Sequence, residues 1–123
     1  MSTNKTLYHR LGGYDAISTV VHELISRLMA DKQLGRFWEN RGIDGINREK
    51  QLLIDCLCAN AGGPVLYTGR ENRVSHRGMG ITEQDWVVFT GHLQDTLNHF
   101  QVPDNEQADV LAFIEGTRAD IID

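Results

Sequence analysis

The stretch from Gly62 to Thr82, GGPVLYTGRENRVSHRGMGIT, limits what this chain can fold into more than any other part of it. It separates two segments of helical pattern and carries little helix signal of its own. Gly62, Gly63 and Pro64 stop the helix before it, because glycine tolerates left-handed dihedrals and proline cannot extend a helix. Gly78 and Gly80 keep the far end loose until Thr82 opens the next helix. Between them stands His76. A short, weakly wound segment with one imidazole can present it to a metal such as iron from one side. The ordinary reading stands beside that one, since most lone histidines are surface residues or satisfied core residues.

At 123 residues the chain fits one domain, residues 1–123, with room for a real core. A hydrophobic fraction of 41% and a charged fraction of 24% are ordinary for a globular protein. No apolar run approaches the roughly 20 residues needed to span a bilayer, and MSTNKTLYHR lacks the apolar centre of a signal peptide. No membrane role is expected. A formal charge of -5 with no basic cluster argues against a nucleic-acid partner. The two cysteines, Cys56 and Cys58, point about 200° apart on a helix and cannot form a relaxed disulfide. They read as small apolar residues in a reducing compartment, the cytoplasm. A CxC metal site needs further ligands, and Leu57, Ala59 and Asn60 supply none.

The pattern along the chain is helical throughout, which predicts an all-α fold. A short helix over Thr6 to Leu11 is broken by Gly12 and Gly13. The next is predicted from Asp15, its cap, to Ala30, with Ile17, Val20, Val21, Leu24, Ile25 and Leu28 on one face. Leu34 to Trp38 reads as a turn, and Arg41 to Gly45 as a loop. A helix is predicted over Ile46 to Ala61. Thr82 with Asp85 forms a capping pattern, and the helix after it buries Trp86, Phe89, Leu93, Leu97 and Phe100. Asp104 with Gln107 opens a last helix with Val110, Leu111, Phe113, Ile114 and Ile121 on its core face. Two glycine-rich interruptions cost a small domain backbone entropy. They make sense where the backbone bends around something, and a flat cofactor between helix pairs is one candidate.

With LGG before the second helix, GGP-x-x-YTG after the third and VSHRGMGIT beyond, the chain resembles the group I truncated haemoglobins nearly end to end. The resemblance implies a truncated globin, a two-over-two helical sandwich around haem b (iron protoporphyrin IX). It makes His76 the proximal ligand of the iron, a reasonable role for a neutral imidazole. Phe37 and Trp38 match the paired aromatics at the corner, Trp38 on the position that usually packs a phenylalanine on the porphyrin. Tyr67, Met79, Ile81, Trp86 and Phe89 fall where the family lines the pocket. Arg70, Arg73 or Arg77 is placed to pair with a propionate, although loop arginines are more often solvated.

The distal side departs from the family. The position of its ligand-binding tyrosine is matched here by Ile25, which has no donor. The facing helix admits two registers. Aligned from the downstream glycines, Glu49 and Leu53 face the iron. Aligned on the Lys50-Gln51 pair, Gln51 takes the ligand-stabilising place, Asn47 the pocket entrance, and Lys50 lies near a propionate or the iron. The first is favoured, because a residue or two is inserted more easily in a loop than inside a helix.

The resemblance implies reversible binding of oxygen, nitric oxide or carbon monoxide, with an apolar distal pocket releasing oxygen quickly. Nitric oxide dioxygenation, fed by a separate reductase, and redox or gas sensing with an internal distal ligand are the alternatives within the family. A haem-free helical interaction module is the reading outside it. A monomer is expected. His9, His22, His92 and His99 read as surface or flanking residues, and Asp55 as a solvated helix residue.

Overall fold

The computed structural model describes residues 6–39, 42–63 and 80–122. Within them α1 spans Leu7–Leu11, α2 Gly13–Ala30, a 3-10 turn Leu34–Trp38, α3 Ile43–Asn60, α4 Glu83–His99, α5 Asp104–Glu115 and α6 Arg118–Ile121. The described residues contain no strand, and no helix among them is long and apolar enough to cross a membrane.

Three boundaries differ from the periodicity, each for a local reason. Helix α2 starts at Gly13 rather than Asp15, because Gly12, at φ 105°, ends α1 and turns the chain straight into the next helix. Asp15 is then no cap; it sits in the first turn, where a carboxylate meets the positive end of the helix dipole. Helix α3 starts at Ile43 rather than Ile46, with Asp44 in its first turn and Gly45 inside it. One glycine costs a helix only about 1 kcal/mol, which does not stop it winding. The last helix is not continuous to Ile121. At Gly116 and Thr117 it breaks, the Thr117 hydroxyl donating to Ile114 O at 2.6 Å, and α6 follows.

The start signal at Thr82 acts as read, whereas Asp104 is no cap: Pro103 holds the N-cap position of α5 without a side-chain hydrogen bond, and Asp104 lies in the first turn. Thr82 accepts from Asp85 N, and the Asp85 carboxylate accepts from Thr82 N, a complete capping box at the head of α4. Gln107 in α5 is buried, and its amide donates to Val102 O at 2.8 Å and Asn98 Oδ1 at 3.0 Å, closing the turn between α4 and α5.

Helix α2 packs on α3, α4 on α5, and α2 also crosses α4, which makes two helix pairs laid one over the other. Val21, Leu24, Ile25 and Leu28 recur at helical spacing on the inner face of α2. They meet Ile54 and Cys58 of α3, Leu93 and Leu97 of α4, and Val110 and Ile114 of α5 in one core. Phe89 and Phe100 are only partly buried, so the stripe of α4 is narrower than the sequence suggests, and Asp85 and Thr96 share its buried face.

Tyr8 joins the described glycine turns, at residues 12–13 and 62–63. Its backbone N–H donates to Ala61 O at 2.9 Å, and its hydroxyl accepts from Tyr14 N at 3.0 Å. Its ring lies across the turn after α3, so that a Cβ on Gly63 would fall 2.4 Å from Tyr8 Cδ1. Gly62 holds φ 89°, a left-handed conformation that favours glycine. The backbone here bends around a side chain of the protein itself. Because Tyr8 is tied at both ends, its ring has little room to retreat. Gly63→Ala should therefore cost about 1–3 kcal/mol in urea denaturation. In a Tyr8→Ala background most of that penalty should vanish.

Candidate functional site

The corner between α2 and α3 is built by carboxylates. Asp31, just beyond α2, accepts from Gln33 N at 2.8 Å and Leu34 N at 3.0 Å, shaping the turn. His92 Nε2 of α4 donates to its other oxygen at 2.7 Å. That imidazole, with the two backbone amides, holds the Asp31 carboxyl below its ordinary range.

Asp85 anchors the same corner from below. It is 2% exposed yet accepts from Arg36 at 2.6 and 3.2 Å, from Gln33 Nε2 at 2.6 Å and from Thr82 N at 3.0 Å. The Arg36 guanidinium, ahead of the other donors, pushes its carboxyl below the usual carboxylate range. Nothing in the sequence marks this role beyond the capping pattern with Thr82, because the other partners lie far back in the chain. Its sign is that of a depressed acid: the stabilisation is present above the unfolded carboxyl's value, about 3.9, and is lost as pH falls toward the folded one. Asp85→Asn should lower stability at pH 7 by about 2 kcal/mol, the order of a charge-assisted buried bond. The variant's stability should also depend less on pH below about 4; urea denaturation at stepped pH measures both.

Phe37 and Trp38 lie on the 3-10 turn, partly buried, their rings edge to face at 6.5 Å. Trp38 Nε1 is buried without a hydrogen-bond partner among the described residues. On α4, Trp86 is buried, stands 5.5 Å from the Phe89 ring and donates to Glu115 Oε2 at 3.3 Å. Ile81 is partly buried just ahead of α4.

The distal residues separate by helical phase. Ile25 is buried on α2. Leu53 of α3 faces inward beside Leu57, where with Val21, Leu24, Phe89 and Leu93 it lines an apolar cavity of about 80 Å³. Gln51 is exposed on another face of α3 and donates to Tyr14 Oη at 2.6 Å and Asp55 Oδ1 at 2.9 Å. Asn47 is exposed; Glu49 and Lys50 are partly buried. The structure thus brings Leu53 and Phe89 together and keeps Gln51 apart from them. Tyr67, Arg73, His76 and Met79, with Arg70 and Arg77, lie outside the described residues.

Both cysteines are free, and burial pushes each thiol above its ordinary pKa, so neither is an activated thiolate. Among the described residues no three His, Cys, Asp or Glu side chains gather to hold a metal ion. What they offer is an aromatic corner, an aliphatic wall and one buried N–H without an acceptor. Such a lining fits a flat apolar group with polar edges better than a bare ion.

A two-over-two helical sandwich with an apolar interior cavity is the architecture of a truncated globin. The chain belongs to the bacterial-like globin family, whose model matches residues 6–123. It is 34% identical over 109 residues to the group 1 truncated hemoglobin GlbN of Mycolicibacterium paratuberculosis, covering 89% of this chain and 78% of that one. It is 27% identical over 122 residues to the group 1 truncated hemoglobin of Tetrahymena pyriformis, covering 99% and 98%. The crystal structure of the Tetrahymena pyriformis protein in its Fe(III) form superposes with a TM-score of 0.87 at 26% identity, over 96% of this chain and 98% of that one. Membership implies haem as the prosthetic group.

Proposed function

We propose that residues 1–123 form one domain that carries haem b, with His76 as the protein ligand to iron, and that it binds oxygen, nitric oxide and carbon monoxide reversibly. Family membership supports the haem, and so does the Fe(III) form of the Tetrahymena pyriformis relative. When bound, haem supplies an iron with a coordination position for a small gas. The protein's own part is to hold the macrocycle, exclude water and set the polarity above the iron.

The observation that carries the functional reading is the apolar character of the distal side. Ile25 and Leu53 have no hydrogen-bonding atoms in their side chains, and Phe89 adds only a ring. The nearest amide by sequence, Gln51, is already engaged by Tyr14 and Asp55. This supports the register in which Glu49 and Leu53, rather than Gln51, face the iron. A ligand whose polar end finds no donor is held by the iron alone and leaves quickly. Reversible binding with fast release favours carriage or transient storage over chemistry that needs a long-lived oxygen complex.

The first test is the visible spectrum of the haem-loaded, dithionite-reduced protein. A broad five-coordinate ferrous band is expected, and His76→Ala should abolish it or weaken haem retention. Sharp, split six-coordinate bands would overturn the open-site reading and bring Lys50 forward as an internal ligand.

Oxygen release measured by stopped flow separates the distal residues. Ile25→Tyr and Leu53→Gln should each slow it roughly tenfold, the order of one added hydrogen bond. Gln51→Ala should leave it within about twofold, since a hydrogen bond made elsewhere contributes nothing at the iron. An effect confined to Gln51→Ala would transfer the distal role to that residue.

A further inference from the structure

Arg36 stands between a buried carboxylate and an aromatic face. Its guanidinium meets Asp85 at 2.6 and 3.2 Å, while its Cζ lies 4.3 Å from the centre of the Phe37 ring. Gln33 donates to the same carboxylate at 2.6 Å, and Arg36 also donates to Gln33 O, so the turn is tied to itself as well as to α4. The head of α4 does not require these links. Thr82 and Asp85 complete the cap between themselves, and the donors from residues 33 and 36 are additional.

The consequence is a chain of positions. Thr82 and the backbone of α4 fix the Asp85 carboxylate, the carboxylate fixes the guanidinium plane, and the plane fixes the tilt of the ring beneath it. A guanidinium stacked on an aromatic face restrains that face through both charge and shape. Phe37 is only partly buried, so surrounding packing does not restrain it fully.

We propose that Asp85, acting through Arg36, is a positioning residue for the prosthetic group: it sets the pose of the Phe37 ring and, through their edge-to-face contact at 6.5 Å, that of Trp38 on the porphyrin-packing position. It thereby governs how long the macrocycle is retained and what environment its iron-bound ligand meets. The inference rests on the haem reading above. A clamp of purely structural value would stabilise the fold without affecting either property. The fold contains such a clamp for comparison, in which Arg10 joins α1 to α5 through Glu106 at 3.1 Å and Asp109 at 2.7 Å.

The test uses the full chain loaded with haem, as parent, Arg36→Met, Arg36→Lys and Arg10→Met. Three quantities are measured: the melting temperature, the rate of haem transfer to excess apomyoglobin, and the C–O stretching band under carbon monoxide. Arg36→Met should speed haem loss about fivefold to tenfold and displace or split the band. Arg36→Lys keeps a cation for Asp85 but lacks the flat stacking plane. Its melting temperature should return toward the parent while the band stays displaced. Arg10→Met should lower the melting temperature alone.

The proposal is overturned if Arg36→Met changes only the melting temperature, as Arg10→Met does. Should Arg36→Met fail to fold, Arg36→Lys decides, and a parental band with parental haem loss overturns the idea. A parent that takes up no haem would instead defeat the reading on which the proposal rests.

Discussion

The carboxylate of Asp85 is the group on which the docking of the 3-10 turn against α4 depends. Burying a charge is expensive unless it is paired and hydrogen-bonded, and here the pairing comes from a separate element. That requirement turns a helix cap into a tertiary bond: beyond the cap that Thr82 completes, the corner delivers Arg36 and Gln33 to the same buried carboxylate. The corner in turn keeps its shape because Asp31 gathers two backbone amides and the His92 ring. Two acids on opposite sides of the contact thus fix one short turn against one helix. Both links trade a desolvation cost for orientation.

Local features were legible in the sequence where the physics is local. The stripe of α2, the Thr82–Asp85 cap and the absence of strands follow from spacing, because their partners lie within a turn or two. The helix ends were harder to read. Gly12 and Gly45 look alike as letters, yet one ends a helix at φ 105° and the other sits inside one. What spacing could not show were bonds across long stretches of chain: Gln33 and Arg36 reach Asp85 from 52 and 49 residues away. The same limit applies to Tyr8, which reads as an ordinary residue of a short amphipathic helix until its ring is seen against Gly63.

On the distal side, the ambiguity of register in the sequence came from about two extra residues between Trp38 and Gly62, which allow α3 to be aligned from either end. Helical phase separates the two registers: Gln51 and Leu53 stand about 200° apart, so only one can face inward. The inward position goes to leucine because α2 presents an aliphatic face there, and an amide would be buried without a partner. Gln51 finds two partners outside. The polarity of the cleft is thus a by-product of core packing as much as of any demand made by a ligand.

Tyr8 also fixes an order of events during synthesis. Helix α1 precedes α2 and α3 in the chain, yet the surface that receives its ring includes Ala61 and Gly63, which appear only after both have been made. Five residues are too few to hold a helix in water unaided. The seat of Tyr8 thus lies more than fifty residues downstream, and docking α1 there closes a loop that contains both α2 and α3.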